Sequence, residues 1–96
     1  MRIRARAQAE LRNPTWNLLN GTVDFLLCNE GATSFAIVSI AVNGSEAMFA
    51  PSGVLLLPGE EVAVTIHYPF KLGYTYSFRL TDSTKTEYGS LRFTAG

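Results

Sequence analysis

Nucleophilic catalysis needs a base held beside a serine, cysteine or lysine, and His67 is the only histidine in the chain. In the run 61–68 it shares parity with Glu61, Ala63 and Thr65, opposite Val62, Val64, Ile66 and Tyr68, which places it on the outer face of a strand. Cys28, the only cysteine, falls at the end of a different strand, on the parity of Asp24. The sequence therefore gives a packing cysteine and a solvated histidine, and no catalytic pair. Glu60 and Glu61 are adjacent, so on a strand they point to opposite faces and cannot share a proton as paired acid–base carboxylates do. Beside Pro58-Gly59 they read as solubilising, edge-protecting charges. Residues 82–87, Asp-Ser-Thr-Lys-Thr-Glu, gather the oxygen-bearing side chains that calcium prefers. Lys85 stands between the two carboxylates and no glycine occupies the bend, so a hairpin loop is expected. The eight glycines are scattered singly, with no phosphate cradle. No catalytic, cofactor-binding or metal-binding residue is assigned, and a non-enzyme is expected.

Asn20-Gly21-Thr22 and Asn43-Gly44-Ser45 match the N-glycosylation acceptor pattern, making Asn20 and Asn43 candidate glycosylation sites on surface loops. Asn13-Pro14-Thr15 fails because proline occupies the middle position. Asn-Gly is also the preferred two-residue hairpin turn, so the pattern turns the localisation only gently outward, to the cell surface or beyond. Eight basic residues balance eight acidic ones, so no general field draws the chain to nucleic acid or to an anionic membrane. A single cysteine excludes an internal disulfide and a cysteine-based zinc site. No apolar run is long enough to span a bilayer, and the start MRIRARAQAELR has basic residues with no apolar segment behind them. Membrane attachment is expected only through a helix upstream of this sequence.

The elements that would position such groups are strands. Hydrophobic residues make up 47% of the chain and charged residues 17%, the composition of a packed globule, and 96 residues make one domain spanning 1–96. From Arg2 to Leu11 the sequence alternates, with Ile3, Ala5, Ala7, Ala9 and Leu11 on one face, until Asn13-Pro14-Thr15 breaks the run. Val23, Phe25 and Leu27 share a face of the next strand; Ala36, Val38, Ile40 and Val42 share a face of the one after. Asn43-Gly44 then turns the chain into a short return strand over 45–50. A Pro- and Gly-bracketed loop leads to the strand over 61–68. Two further strands follow, carrying Tyr74, Tyr76, Phe78 and Leu80, then Leu91 and Phe93. About seven short strands at this spacing predict an all-β, immunoglobulin-like antiparallel two-sheet sandwich, with a small closed barrel as the alternative. The expected core is Val23, Phe25, Leu27, Val38, Ile40, Val64, Ile66, Tyr76, Phe78 and Phe93. In LGYTYSF, Tyr74 and Tyr76 stand where such domains place a corner tyrosine that bonds back to the backbone.

The knot Asn29-Glu30-Gly31-Ala32-Thr33-Ser34 interrupts two apolar runs. Asn29 continues the parity of Val23, Phe25 and Leu27, so its side chain is expected to turn inward and satisfy backbone groups of a turn in which Gly31 takes positive φ. This Asn-x-Gly segment, the later Val-Asn-Gly, LLLPGEEVAVTI and the Tyr-rich strand together resemble immunoglobulin-like domains of archaeal cell-surface filaments. These are the globular domains of archaeal type IV pilins and the soluble domains of archaellum stator proteins; adhesion-type accessory modules of secreted proteins are similar. The resemblance covers Thr22 to Leu80. It implies a non-enzymatic extracellular domain of a pilus or archaellum, a filament subunit or a stator anchored to the surface layer, lying in the pseudoperiplasm. The alternative is an accessory adhesion or carbohydrate-binding module, although Trp16 reads as a staple over the core.

Protein partners are expected, either further copies of the chain or a surface-layer protein. Arg2, Arg4 and Arg6 are the candidate interaction residues, because three like charges on one strand face repel unless acidic groups or a partner approach.

Overall fold

The computed structural model describes residues 8–96. Arg2, Arg4 and Arg6 lie outside the described residues. Among the described residues there are eight antiparallel strands: β1 (Ala9–Asn17), β2 (Thr22–Asn29), β3 (Phe35–Val42), β4 (Ser45–Ala50), β5 (Leu55–Leu56), β6 (Glu61–His67), β7 (Thr75–Asp82) and β8 (Glu87–Thr94). The hydrogen-bonded path runs β1-β2-β6-β4-β3-β7-β8, with the short β5 added to β3. The two layers share β4. Its residues Ala47, Glu46 and Ser45 pair with Ile40, Ala41 and Val42 of β3. Met48, Phe49 and Ala50 then pair with His67, Ile66 and Thr65 of β6. One strand thus turns the corner between layers, and at the far side β1 and β8 come into contact. The result is an all-β sandwich nearly closed as a barrel, midway between the two architectures that period-two patterning allows.

Val23, Phe25 and Leu27 of β2, and Val64 and Ile66 of β6, are buried as alternation predicts, as are Ile40, Tyr76 and Phe78. Phe93 is only partly buried and closes the edge of the core, its ring 4.8 Å from that of Phe25. Trp16 packs edge-on against Phe70 at 5.1 Å and lies 6.3 Å from Tyr76 of β7, so it staples the two layers together. Asn43 and Gly44 form the expected turn with φ of 51° and 85°, the pair of positive values that a type I′ hairpin requires.

Four local expectations need correction. Pro14 does not end the first strand: β1 runs through it, and the register with β2 shifts between Arg12 and Thr15, where Asn13 takes φ of 55°. A bulge lets the edge strand pass a residue that cannot donate to the ladder. Val38 is not core; it is 47% exposed while Phe35 and Ile37 are buried. The β3–β7 register shifts between Ile37 and Ser39, and a bulge there reverses which residues face inward. Gly31 is not among the glycines with positive φ, so the strain argument against a β-branched residue there does not hold. Tyr74 does not begin the strand that carries Tyr76 and Phe78: β7 starts at Thr75, and Tyr74 before it is 60% exposed.

The inward turn of Asn29 is found as expected. Its Oδ1 accepts the Gly31 N–H at 2.9 Å, and its Nδ2 donates to the carbonyls of Thr33 and Leu56, each at 2.9 Å. One buried carboxamide thereby ties the end of β2 to the approach to β3 and to β5.

Candidate interaction surfaces

The pairing of β2 with β6 sets the ends of the molecule: Thr22 faces His67 at one end and Cys28 faces Glu61 at the other. About 20 Å of strand therefore separates imidazole from thiol, and the two cannot cooperate. Cys28 is buried despite its outward parity, because it lies between Glu10 of β1 and Glu61 of β6. Its Sγ is 3.7 Å from Glu61 Oε2. Burial, with added repulsion from Glu61, pushes the thiol pKa up although Arg12 opposes it, so the sulfur is held as a thiol and is a poor nucleophile.

The loop joining β7 to β8 is built around Asp82, which is 4% exposed. Its Oδ1 accepts the Thr84 N–H at 2.9 Å, the Thr84 hydroxyl at 2.7 Å and the Thr86 N–H at 2.9 Å. Its Oδ2 accepts the Tyr88 hydroxyl at 2.8 Å. Lys85, at φ of 69°, supplies the left-handed bend in a loop that has no glycine to take it. The Asp82 oxygens thus serve the hairpin instead of turning toward a cation. Burial pushes the Asp82 pKa up, but the bonds from Thr84, Tyr88 and Thr86 together outweigh it and hold the carboxyl below its ordinary value of 3.8. A carboxyl depressed on folding contributes stability above its unfolded pKa and loses it as pH falls through the folded value. Asp82→Asn is therefore expected to destabilise the domain at neutral pH and to flatten the acid limb of its stability curve below about pH 4. Denaturant titrations of both proteins across pH 2–6 check this, and parallel curves would show that another group carries the acid limb.

Two groups of exposed apolar side chains border hollows. The first is on the flank where β4 turns the corner. The β3 bulge that displaced Val38 from the core presents it outward beside Met48, which is 78% exposed. Together with Phe49, Ala47, Glu46 and Ser52 they line a shallow hollow of about 350 Å³. The second surface is at the end where β1 turns into β2. Leu18 and Leu19 from that turn and Tyr68, Pro69 and Phe70 from the β6–β7 connection line an open groove of about 590 Å³, and Leu19 is 96% exposed. Sequence alternation could not find the first surface, since only the bulge turns Val38 outward.

Both candidate glycosylation sites lie at that second end. Asn20 is exposed in the β1–β2 turn and lines the groove. Asn43 is exposed at the β3–β4 turn, but its Oδ1 accepts the Ser77 N–H at 2.9 Å and its own N–H donates to the Ser77 carbonyl at 2.8 Å. The chain enters β1 at the opposite end, where the Glu30 N–H donates to the Gln8 carbonyl and Arg12 pairs with Glu10 and Glu30.

A comparison of the sequence with protein-family models and with curated proteins finds no match. Among solved structures, the chain resembles the archaellum periplasmic stator protein FlaG from Sulfolobus acidocaldarius, with a TM-score of 0.63 and 18% identity over 92% of this chain and 100% of that one. At that identity the likeness is one of fold, and it extends over the whole of that solved chain.

Proposed function

We propose that this chain is a non-enzymatic extracellular domain of an archaeal surface filament, of the archaellum-stator kind, acting through protein–protein contact. The observation that carries the reading is the fold likeness to FlaG, which spans the whole solved chain of a protein described as a periplasmic stator. A pseudoperiplasmic location agrees with it, as do the two surface sequons. The immunoglobulin-like character is supported by Tyr76, whose hydroxyl accepts the Lys71 N–H at 2.7 Å, the backward bond of a corner tyrosine. The archaellum stator is preferred to a pilin because the structural likeness is to a stator. The accessory-module reading loses support because Trp16 packs inward, leaving no row of flat exposed aromatics among the described residues.

The contact surface in this reading is the Val38–Met48 flank, with the surface layer or a neighbouring copy as partner. Exposed apolar side chains grouped beside a strand bulge are the kind of feature that marks a docking site. Arg2, Arg4 and Arg6 remain the second contact element, an electrostatic one that salt would screen. Met48→Asp is expected to leave folding and export intact, because the side chain is solvent-exposed, while weakening association at least tenfold, the effect of about 1.4 kcal/mol. Replacing the three arginines by serine is expected to weaken it mainly at low salt. Sedimentation, surface-layer binding and a swimming assay on cells carrying each variant test the proposal. Cells that swim normally after deletion of the gene would remove the archaellum assignment.

A further inference from the structure

The groove between the β1–β2 turn and the β6–β7 connection is unusual in what stands on its rim. Asn20 carries a complete Asn-Gly-Thr sequon and lines the groove itself, next to a leucine that is 96% exposed. Its carboxamide makes no hydrogen bond to any of the described residues, whereas the Asn20 N–H is held by Asn17 Oδ1 at 3.2 Å. The next residue is fixed as well: the Tyr68 N–H donates to the Gly21 carbonyl at 3.0 Å. Gly21 takes φ of 66°, where a side chain would press on the Tyr68 carbonyl at 3.1 Å. The backbone around Asn20 is thus tied by hydrogen bonds, while its carboxamide is unbonded among the described residues.

We propose that Asn20 is the glycosylated asparagine of this domain, and that the groove beside it holds the first sugar of the attached glycan. The proposal rests on the extracellular reading above. In the modification, Asn20 Nδ2 attacks the anomeric carbon of a lipid-phosphate-linked glycan. The new C–N bond forms as the C–O bond to phosphate breaks, the lipid phosphate leaves with the electron pair, and Nδ2 gives up a proton to the transferase. The chemistry of the groove suits the product. A pyranose presents C–H faces that pack on aliphatic and aromatic side chains, here Leu18, Leu19, Tyr68 and Pro69. It also presents hydroxyls that pair with donors at the rim, here His67 and Lys71. The groove is open and shallow, so it can lie along one face of a sugar without enclosing it. A leucine left almost wholly in water then has a cover. Asn43 lacks this arrangement, because its carboxamide is bonded to β7, and it is expected to stay bare.

Peptide mass spectrometry of the full chain from its own host, after cell fractionation, is the first test. The expected result is an exported chain with a glycan on Asn20 and none on Asn43, lost in Asn20→Gln. The second test compares thermal midpoints of glycosylated protein and protein made in a host without the transferase, expected to differ by about 4–8 °C in favour of the glycosylated form. Leu19→Ser, at a side chain with few contacts to lose, is expected to leave occupancy and the bare midpoint unchanged while shrinking that difference by about half. An exported chain with Asn20 bare overturns the site, and glycosylated Asn20 with equal midpoints overturns the role of the groove. A chain retained inside the cell overturns the extracellular reading instead. In that case, export directed by an added signal sequence decides whether Asn20 is modified.

Discussion

Replacing Phe25 by alanine should lower the stability of the domain by about 3–5 kcal/mol, a large part of the roughly 5–15 kcal/mol available to a domain of this kind. Phe25 is 2% exposed at the centre of β2. Its ring lies 4.8 Å from Phe93, 5.3 Å from Phe78 and 6.4 Å from Trp16. Those partners come from β8, β7 and β1, so the side chain spans both layers and its loss leaves a cavity that strands of different layers cannot close together. The denaturant midpoint should fall with the slope unchanged, as befits a change in stability without a change in exposed surface. Val38→Ala is the control. An exposed valine should cost no more than about 0.5 kcal/mol, and equal midpoints for the two variants would refute the inward assignment of Phe25.

Asn29 is expected to give the second large effect, through polar groups instead of volume. It is 1% exposed, and its carboxamide satisfies the Gly31 N–H and the Thr33 and Leu56 carbonyls. Its backbone is also engaged, donating to the Glu60 carbonyl and accepting from the Gly59 N–H, each at 2.9 Å. Alanine would keep the backbone bonds and strand the three side-chain partners. With about 1–3 kcal/mol for each buried group left unpaired, and water able to reach the Thr33 side, a loss of about 2–4 kcal/mol is expected. Asn29→Asp should be worse than Asn29→Ala at neutral pH, because it places a carboxylate oxygen against two carbonyl oxygens in a buried site. Amide exchange at Gly31 and Gly59 should accelerate in both variants. An Asp variant as stable as wild type would mean that water already reaches the pocket.

The two effects differ in how legible they are from sequence. The parity of Val23, Phe25, Leu27 and Asn29 already places both Phe25 and Asn29 inward, because a strand with one buried face must alternate. The partner of Asn29 in β5 is not legible, since Leu56 sits in what reads as a loop 27 residues away. Asp82 is similar: its loop is plain from composition, but its buried carboxylate depends on Tyr88 reaching back across the hairpin.

By itself the sequence determined the class of the fold, the positions of most strands and the Asn43-Gly44 turn. Each of these follows from local rules: period-two burial, turn residues that tolerate positive φ, and the parity of a short strand. Only the tertiary structure decided the closure of the sheet through β4, the run of β1 past Pro14 and the outward turn of Val38. Those depend on where one strand meets another. A bulge is an offset between two paired strands, and nothing in either strand alone records the register of its partner. The same offset in β3 exchanged a core position for a surface one at Val38, and with Met48 it formed the exposed flank proposed above as a contact surface.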